Sequence, residues 1–599
     1  MQSPRLTIEN VLWGLVLTLA LGVRLLNLGA VQLSDPEAGW ALQALSIFPG
    51  DTNIEPVAPG AQPGYLAVSG LLFALFGSGD GLARLLPALA GGLLCLAPYF
   101  FRHRLGRQAA LIMAFGLALD PGMVAVSRLA GGPMPAISFG LLTLGMLAAG
   151  RAVWAGVFFG LALLGGPAIW QGLLILAVAL LLERGLHKLG WLADPDGEAS
   201  DTNSLSAPQV NWRRGLISAL ATFLLVGTLL GSFPGGLAAF GASLTAFLSS
   251  WATPQAVTIP QLLVVLLVYQ PLAVIFGLIA ALRAWVEANP VARRLSLWAL
   301  VALVIILIYP ARQVSDLVWV VVPLWGLASI ELGRYFRAGI ESRWLVFAQA
   351  ILIFLLLSMS WLSLAGLSQP APDTGAYGLR IAIVFGLVFL AGLTTVLIGF
   401  GWSWTAAGQG LVLGVVAALG IYQVAGVWSS SHNRSTQVFA IWHPAPQTGE
   451  NRLLMQTVGD LSNWSTGMAD QVDVTVAVDS PSLRWAFRSY PRAVFISEQQ
   501  VFSLRESPSI VITRVTDQEL ALSASYRGQD FSWWRYPAWQ GAFPQPLPAW
   551  VAYRENPAFK EQVILWARAD LFPAETLTAE ELPAQEEDPG ILPEEDFPQ

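Results

Sequence analysis

Two acids, one residue apart, open the stretch of this chain best suited to chemistry, Ser34-Asp35-Pro36-Glu37-Ala38-Gly39-Trp40-Ala41-Leu42. A carboxylate takes a proton from a hydroxyl held within hydrogen-bond reach. Guanidinium groups pair bidentately with carboxylates or phosphates, and Arg24, Arg84, Arg128, Arg312 and Arg380 all stand at the rims of apolar segments. Asp51 and Glu55 follow in the same loop, while Asp80, Asp120 and Asp316 stand at helix ends. Together these residues suit a substrate with a hydroxyl to activate and a phosphate to hold. A plainer reading assigns no chemistry: Ser34 or Asp35 caps a helix, Pro36 fits its first turn and Glu37 complements its dipole. Ala38, Leu42 and Leu45 would then form an apolar stripe lying on a membrane. No cofactor or metal is indicated, because His103, His187, His432 and His443 share no ligand spacing and Cys95 stands alone in an apolar run.

The elements that must position these residues follow from composition. Of 599 residues, 55% are apolar and only 12% charged, against about 25% charged in soluble globular proteins. That excludes a soluble enzyme, a nucleic-acid binder and a disordered scaffold. Residues 1–428 hold 20 basic and 17 acidic residues and residues 429–599 hold 12 and 22, so an acidic, water-soluble part follows a membrane part. A spanning helix needs roughly 20 apolar residues. Such runs occur at 11–29, 80–101, 108–127, 134–149, 152–168, 169–183, 215–232, 260–282, 295–310, 317–333, 344–366, 380–400 and 405–426. The run 64–77 is too short to cross and reads as a juxtamembrane helix. Arg102, Arg104, Arg107, Arg151, Arg184, Arg213, Arg214, Arg283, Arg293, Arg294 and Arg334 then share one side, which the positive-inside rule makes cytoplasmic. The expectation is an α-helical multipass protein of the cell membrane, with about thirteen transmembrane helices and a cytoplasmic N-terminus.

Four further regions complete the organisation. Residues 1–427 form the membrane domain, 31–79 being its first outer loop with juxtamembrane helices and 184–214 a cytoplasmic loop. Residues 233–259, broken by prolines and glycines, read as an interfacial helix. Residues 428–572 read as an extracytoplasmic α/β domain with a mostly parallel sheet, from strand-like runs at 472–478, 493–497 and 509–514 and helical candidates near 450–462, 482–490 and 516–524. Residues 573–599 are Pro- and Glu-rich and read as a disordered acidic tail.

A loop after the first span, with an acidic pair opening a juxtamembrane helix, resembles the GT-C membrane glycosyltransferases. The closest groups are the family-39-like enzymes, which include protein O-mannosyltransferases and lipid A aminoarabinose transferases. Gln62-Pro63-Gly64-Tyr65-Leu66, Phe76-Gly77 and Ala83-Arg84-Leu85-Leu86-Pro87 are similar to that family's juxtamembrane helix, its turn and the span that follows. Val126-Ser127-Arg128-Leu129-Ala130 and the stretch from Ile308-Tyr309-Pro310 to Val322-Pro323-Leu324 continue the match over roughly residues 10–335. Ser482-Leu483-Arg484-Trp485-Ala486-Phe487-Arg488-Ser489-Tyr490 resembles a region of a prokaryotic flippase-associated GT-C-like family.

The resemblance implies inverting transfer from a polyprenyl-phosphate-linked sugar donor to a lipid, glycan or protein acceptor. It makes Asp35 the general base, Glu37 its helper, Arg84, Arg128 and Arg312 phosphate ligands, and Tyr65 and Trp40 substrate-contacting residues. Arg24 is expected to pair with an acid inside the bundle. The sequence also departs from the family: Pro36 separates the two acids, Gln62 stands where lipid A-type enzymes carry a lysine, and Gly131-Gly132-Pro133 stands where many members carry a second acid. Those departures keep an alternative open, a catalytically inactive relative that binds lipid-linked glycan or assists its translocation. An ion-coupled transporter fits less well, since the two halves show no matching repeat and mid-membrane acids are scarce.

Overall fold

The computed structural model describes residues 7–48, 57–189, 211–254, 257–337, 339, 342–368, 374–432, 442, 447–448, 450–503, 507–515, 524–537, 547–553 and 558–572. Of the loop read at 184–214, residues 190–210 lie outside the described residues, while its two ends are helical, in Pro167–Lys188 and Trp212–Gly227. The helix candidate at 516–524 except its last residue, and the acidic tail, also lie outside the described residues. Among the described residues seven helices are long and apolar enough to cross a membrane: Ile8–Leu25, Pro167–Lys188, Pro290–Ile308, Val314–Tyr335, Arg343–Gly366, Gly375–Gly401 and Trp404–Ser431. The number rises to nine if each of two bent pairs is one span. Other runs expected to cross fold as the shorter apolar helices Leu85–Phe100, Met134–Ala148 and Ala152–Leu163. The chain is a multi-pass membrane protein.

Prolines set the irregularities of this bundle. The run read as one span over 108–127 is bent by 57° between Arg107–Ala118 and Pro121–Ser127, and the run read over 260–282 is bent by 96° between Ile259–Tyr269 and Pro271–Val286. A proline lacks the N–H that would continue the helix ladder and clashes with the preceding turn. The two breaks meet. Asp120 accepts from the Met123 amide at 2.9 Å, from Trp325 Nε1 at 2.9 Å and from Gln270 Nε2 at 3.3 Å, so the carboxylate at one break takes a donor from the other inside the core. Gly122 sits beside them, where any Cβ would fall within 2.5 Å of Gln270 and Trp442.

Helix α1 (Ile8–Leu25) leads into α2 (Asp35–Leu45) and α3 (Pro63–Phe76). Fourteen residues of helix span about 21 Å, short of the ~30 Å hydrocarbon core. The stripe expected to lie on the membrane instead faces protein: Ala38, Leu42 and Leu45 are buried in a cluster with Tyr65, Leu66, Phe73 and Trp485. Helix Gly235–Ser249 forms within the segment read as interfacial.

The C-terminal domain is a six-stranded sheet of order β1-β5-β6-β4-β2-β3, comprising β1 (Gln447–Thr448), β2 (Val474–Val476), β3 (Ala493–Phe495), β4 (Ile510–Arg514), β5 (Tyr526–Pro537) and β6 (Ala558–Arg568). The three short runs read from sequence form β2, β3 and β4, and their mutual pairings are parallel. The other pairings, β4–β6, β5–β6 and β1–β5, are antiparallel. The sheet is therefore mixed rather than mostly parallel. Helix Asn451–Thr466 and the short helix Pro481–Ala486 complete the domain.

Candidate active site

The start of α2 separates the two acids into different roles. Ser34 is the N-cap, and its backbone N–H donates to Glu37 Oε2 at 3.2 Å, the reciprocal contact of a capping box. Glu37 is only 4% exposed. Its carboxylate takes a bidentate pair from Arg84, Nε to Oε1 and Nη2 to Oε2, both at 2.8 Å, and a further bond from the Ala130 amide at 3.1 Å. The remaining Arg84 hydrogens go to the carbonyls of Val31, Leu28 and Gln32. Glu37 and Arg84 thus form a closed, buried pair that pins the loop after α1.

Arg128 and Arg24 are also consumed by backbone. Arg128 is 1% exposed and donates to the carbonyls of Arg24, Leu26, Val23, Asn27 and Ser431, so it caps the C-terminal end of α1. Arg24 is fully buried and donates to Ala20, Ala118 and Leu117 carbonyls. Its hydrogen bonds go to main-chain oxygens, and the bundle acid Asp120 acts on it through charge rather than through a hydrogen bond. Arg380 donates to the Gly366 carbonyl. Arg312 differs. It is half-buried, with Nε on the Val257 carbonyl at 2.8 Å and Nη1 on the Tyr309 carbonyl at 3.3 Å, while Nη2 has no partner among the described residues.

Trp40 is half-buried and lies between two glycines. A Cβ on Gly60 or Gly131 would come within 2.6 or 2.5 Å of its ring, and Gly131 has φ +71°, a conformation open to glycine at little cost. Gln62 donates to the Gly131 carbonyl at 2.6 Å. Two of the three departures from the family pattern, Gln62 and Gly131, therefore touch each other. Tyr65 is buried beside them and lines a small cavity with Gln62, Leu86 and Gly131.

Asp35 faces the C-terminal domain, a contact that sequence reasoning did not find. Its Oδ1 accepts from Ser480 Oγ at 2.7 Å and from the Ser482 amide at 2.8 Å, whereas Oδ2 has no hydrogen bond among the described residues. Burial pushes the Asp35 carboxyl above the ordinary carboxylate range; the bonds from Ser480 and Ser482 oppose that rise, and the Asp479 charge adds to it. Beyond Ser482 the same short helix is fastened to the loop after α3. Trp485 Nε1 donates to Asp80 at 2.7 Å, and Arg488 donates to the Ser78 hydroxyl and carbonyl at 2.8 and 3.1 Å. Arg488 lies over the Trp485 ring at 4.0 Å, and Trp485 is 2% exposed against Phe73. The Trp485–Arg488 spacing was visible in the sequence; its partners in the first 80 residues were not. Among the described residues no group of three or more His, Cys, Asp or Glu is placed to hold a metal.

No family model matches this sequence, and no curated protein matches it either. Solved structures do. The crystal structure of ArnT from Cupriavidus metallidurans bound to undecaprenyl phosphate matches with a TM-score of 0.54 at 15% identity, over 94% of this chain and 98% of that one. The apo structure of the same protein gives 0.53 at 16% identity, over 94% and 99%. The chain has the ArnT-like GT-C fold. At such identity the likeness carries fold, not activity.

Proposed function

We propose that this protein transfers a sugar from a polyprenyl-phosphate-linked donor to an acceptor hydroxyl at the extracytoplasmic face of the membrane. The observation that carries the reading is the Asp35 carboxylate, held by one oxygen and open at the other, half-buried where the helical and sheet domains meet. The GT-C fold supports it, as does the neighbour's occupancy by undecaprenyl phosphate. In the proposed step the acceptor oxygen bonds to carbon one of the sugar and its proton passes to Asp35. The bond from carbon one to the phosphate oxygen breaks, the polyprenyl phosphate leaves with the electron pair, and the configuration inverts.

The hydrogen bonding favours a different set of supporting roles. Glu37, Arg84 and Arg128 act by holding the loop and the end of α1, since their polar atoms are committed to protein partners. Arg312, with an uncommitted guanidinium nitrogen, is the residue of the three arginines suited to the leaving phosphate. Trp40 and Tyr65 shape the wall beside the loop.

Purified protein in nanodiscs, given a panel of polyprenyl-phosphate sugars, tests the assignment. Asp35→Asn is expected to slow transfer by about 10²–10⁴-fold, the range for removal of a general base, with donor binding unchanged. Equal turnover by both proteins would refute it. Gly131 and Gly132, where a second acid would stand, favour one rival: a lipid-glycan binder without turnover. That rival is supported by equal donor binding in both proteins and no product with any acceptor.

A further inference from the structure

Two donors converge on one oxygen of Asp35, and both come from the sheet domain. Ser480 Oγ lies 2.7 Å and the Ser482 amide 2.8 Å from Oδ1, with Ser480 1% and Ser482 3% exposed. A hydroxyl has one hydrogen to give and two lone pairs to fill. The Leu483 amide donates to Ser480 Oγ at 3.4 Å, and Ser482 Oγ stands 2.9 Å from it. An ionised carboxylate only accepts, so Ser480 gives its one hydrogen to Asp35, which leaves Ser482 as the donor across the 2.9 Å contact. The short helix carrying these groups is itself fixed to the helical domain by Trp485 on Asp80 and Arg488 on Ser78. The donors therefore come from a docked element and hold the carboxylate plane in one orientation.

We infer that Ser480 is a positioning residue for the reaction: it holds Oδ1 of Asp35 so that Oδ2 is presented to the acceptor hydroxyl, which makes the sheet domain part of the active centre. The inference rests on the reading of Asp35 as the base. The charged groups around Asp35 leave this contact prominent. On its own helix Glu37 is neutralised by Arg84. The other helix packed on α2, α3, carries no charged residue. From the sheet domain Asp479 faces it, itself paired with Arg484 at 3.4 Å, and Arg488 is held at Ser78 near Asp80.

Ser480→Ala and Ser480→Thr in the full chain, in nanodiscs, test the role. The alanine variant is expected to lower kcat about ten- to hundredfold, the worth of a hydrogen bond to a charged group, with the donor KM unchanged. Its acid limb moves to higher pH, because a bond that favours the charged carboxylate is gone. The threonine variant, which keeps the hydroxyl, restores both. Faster transfer by Ser480→Ala would overturn the inference, since it would mean that the serine blocks the acceptor's place. The second readout needs no turnover: the pH profile of carbodiimide labelling at Asp35, followed by mass spectrometry. An upward shift of its midpoint in Ser480→Ala, reversed in Ser480→Thr, supports the contact, and an unmoved midpoint overturns it. A midpoint that shifts in Ser480→Ala while the wild type transfers no sugar would leave the contact standing and sink the base assignment instead.

Discussion

Asp35 and Glu37 are chemically alike and two residues apart, yet their surroundings set them to opposite tasks. Glu37 is buried against Arg84, and breaking such a pair leaves an uncompensated charge. Asp35 has neutral donors on one oxygen and no cation bonded to it among the described residues, so burial raises its pKa. The sign of the consequence follows from proton linkage. A carboxyl whose folded pKa lies above its unfolded value, about 3.9, binds its proton more tightly in the folded protein. Its stabilising contribution is fully present below the unfolded pKa and is lost as pH rises through the folded one. At neutral pH the Asp35 charge therefore costs stability. Asp35→Asn removes that charge and keeps an oxygen for Ser480 and Ser482, so its melting temperature at pH 7 should equal or exceed the wild type's. The wild type should gain on the variant as pH falls. In the active protein the same shift places the acid limb of kcat above the ordinary aspartate range. A variant that melts several degrees lower at pH 7 would show that the charge stabilises the fold. The sequence displayed both acids and several arginines, but their division of labour depends on the Ala130 amide and Ser480, neither of them near the acids in sequence, and on Arg84 reaching back 53 residues to the Val31 carbonyl after α1.

At the scale of elements, what could be read was whatever repeats locally. The start of α2, the shortness of α3 and the division between the runs at 152–168 and 169–183 follow from proline, glycine and capping chemistry and stand in the structure. The bends at Pro121 and Pro271 were missed because a uniformly apolar run has no periodicity that a bend could interrupt. Strand β5 was missed for the opposite reason: its aromatics are interleaved with Arg527, Asp530 and Arg535, so it lacks a long apolar run. Strand β6 does carry one, Val563-Ile564-Leu565-Trp566-Ala567, which sequence reasoning passed over. The docking helix Pro481–Ala486 was legible as a helix start, but not as a clamp, since Asp35, Ser78 and Asp80 lie more than 400 residues away in sequence. Trp485 is its main anchor, and truncating a buried aromatic costs about 3–5 kcal/mol. Trp485→Ala is accordingly expected to free the short helix locally while leaving the bundle intact. Hydrogen exchange should accelerate in residues 480–490 and 28–37 and stay unchanged in Val314–Tyr335. Unchanged exchange at both contact segments would mean that Trp485 does not hold the domains together.

For the whole molecule the open quantity is which side each end faces, and contacts within the chain constrain it. Asp35, before α3, and Ser78 and Asp80, after it, are all bound by the same short helix of the sheet domain. The chain therefore leaves and returns on one side between them, as expected for a juxtamembrane α3. At the other end of α1, about 27 Å away by helix rise, Glu9 pairs with Arg102 and Arg107. More basic residues join acids elsewhere in the bundle, Arg283 with Glu331, Arg294 with Glu183 and Arg334 with Glu287. If the positive-inside rule governs insertion, Arg107 faces the cytoplasm and the sheet domain lies outside. Native Cys95 is buried and can be replaced by alanine, so single cysteines report the topology cleanly. Arg107, Arg184 and Asp530 are exposed positions suited to them. A membrane-impermeant maleimide should label Asp530→Cys in intact cells and reach Arg107→Cys and Arg184→Cys only after permeabilisation. The reverse pattern would place the Asp35 carboxylate on the cytoplasmic side and remove the proposed extracytoplasmic transfer. Labelling of Arg107→Cys together with Asp530→Cys in intact cells would mean that the chain between the sheet-domain contacts and Arg107 does not cross, which would change the parity of every later span.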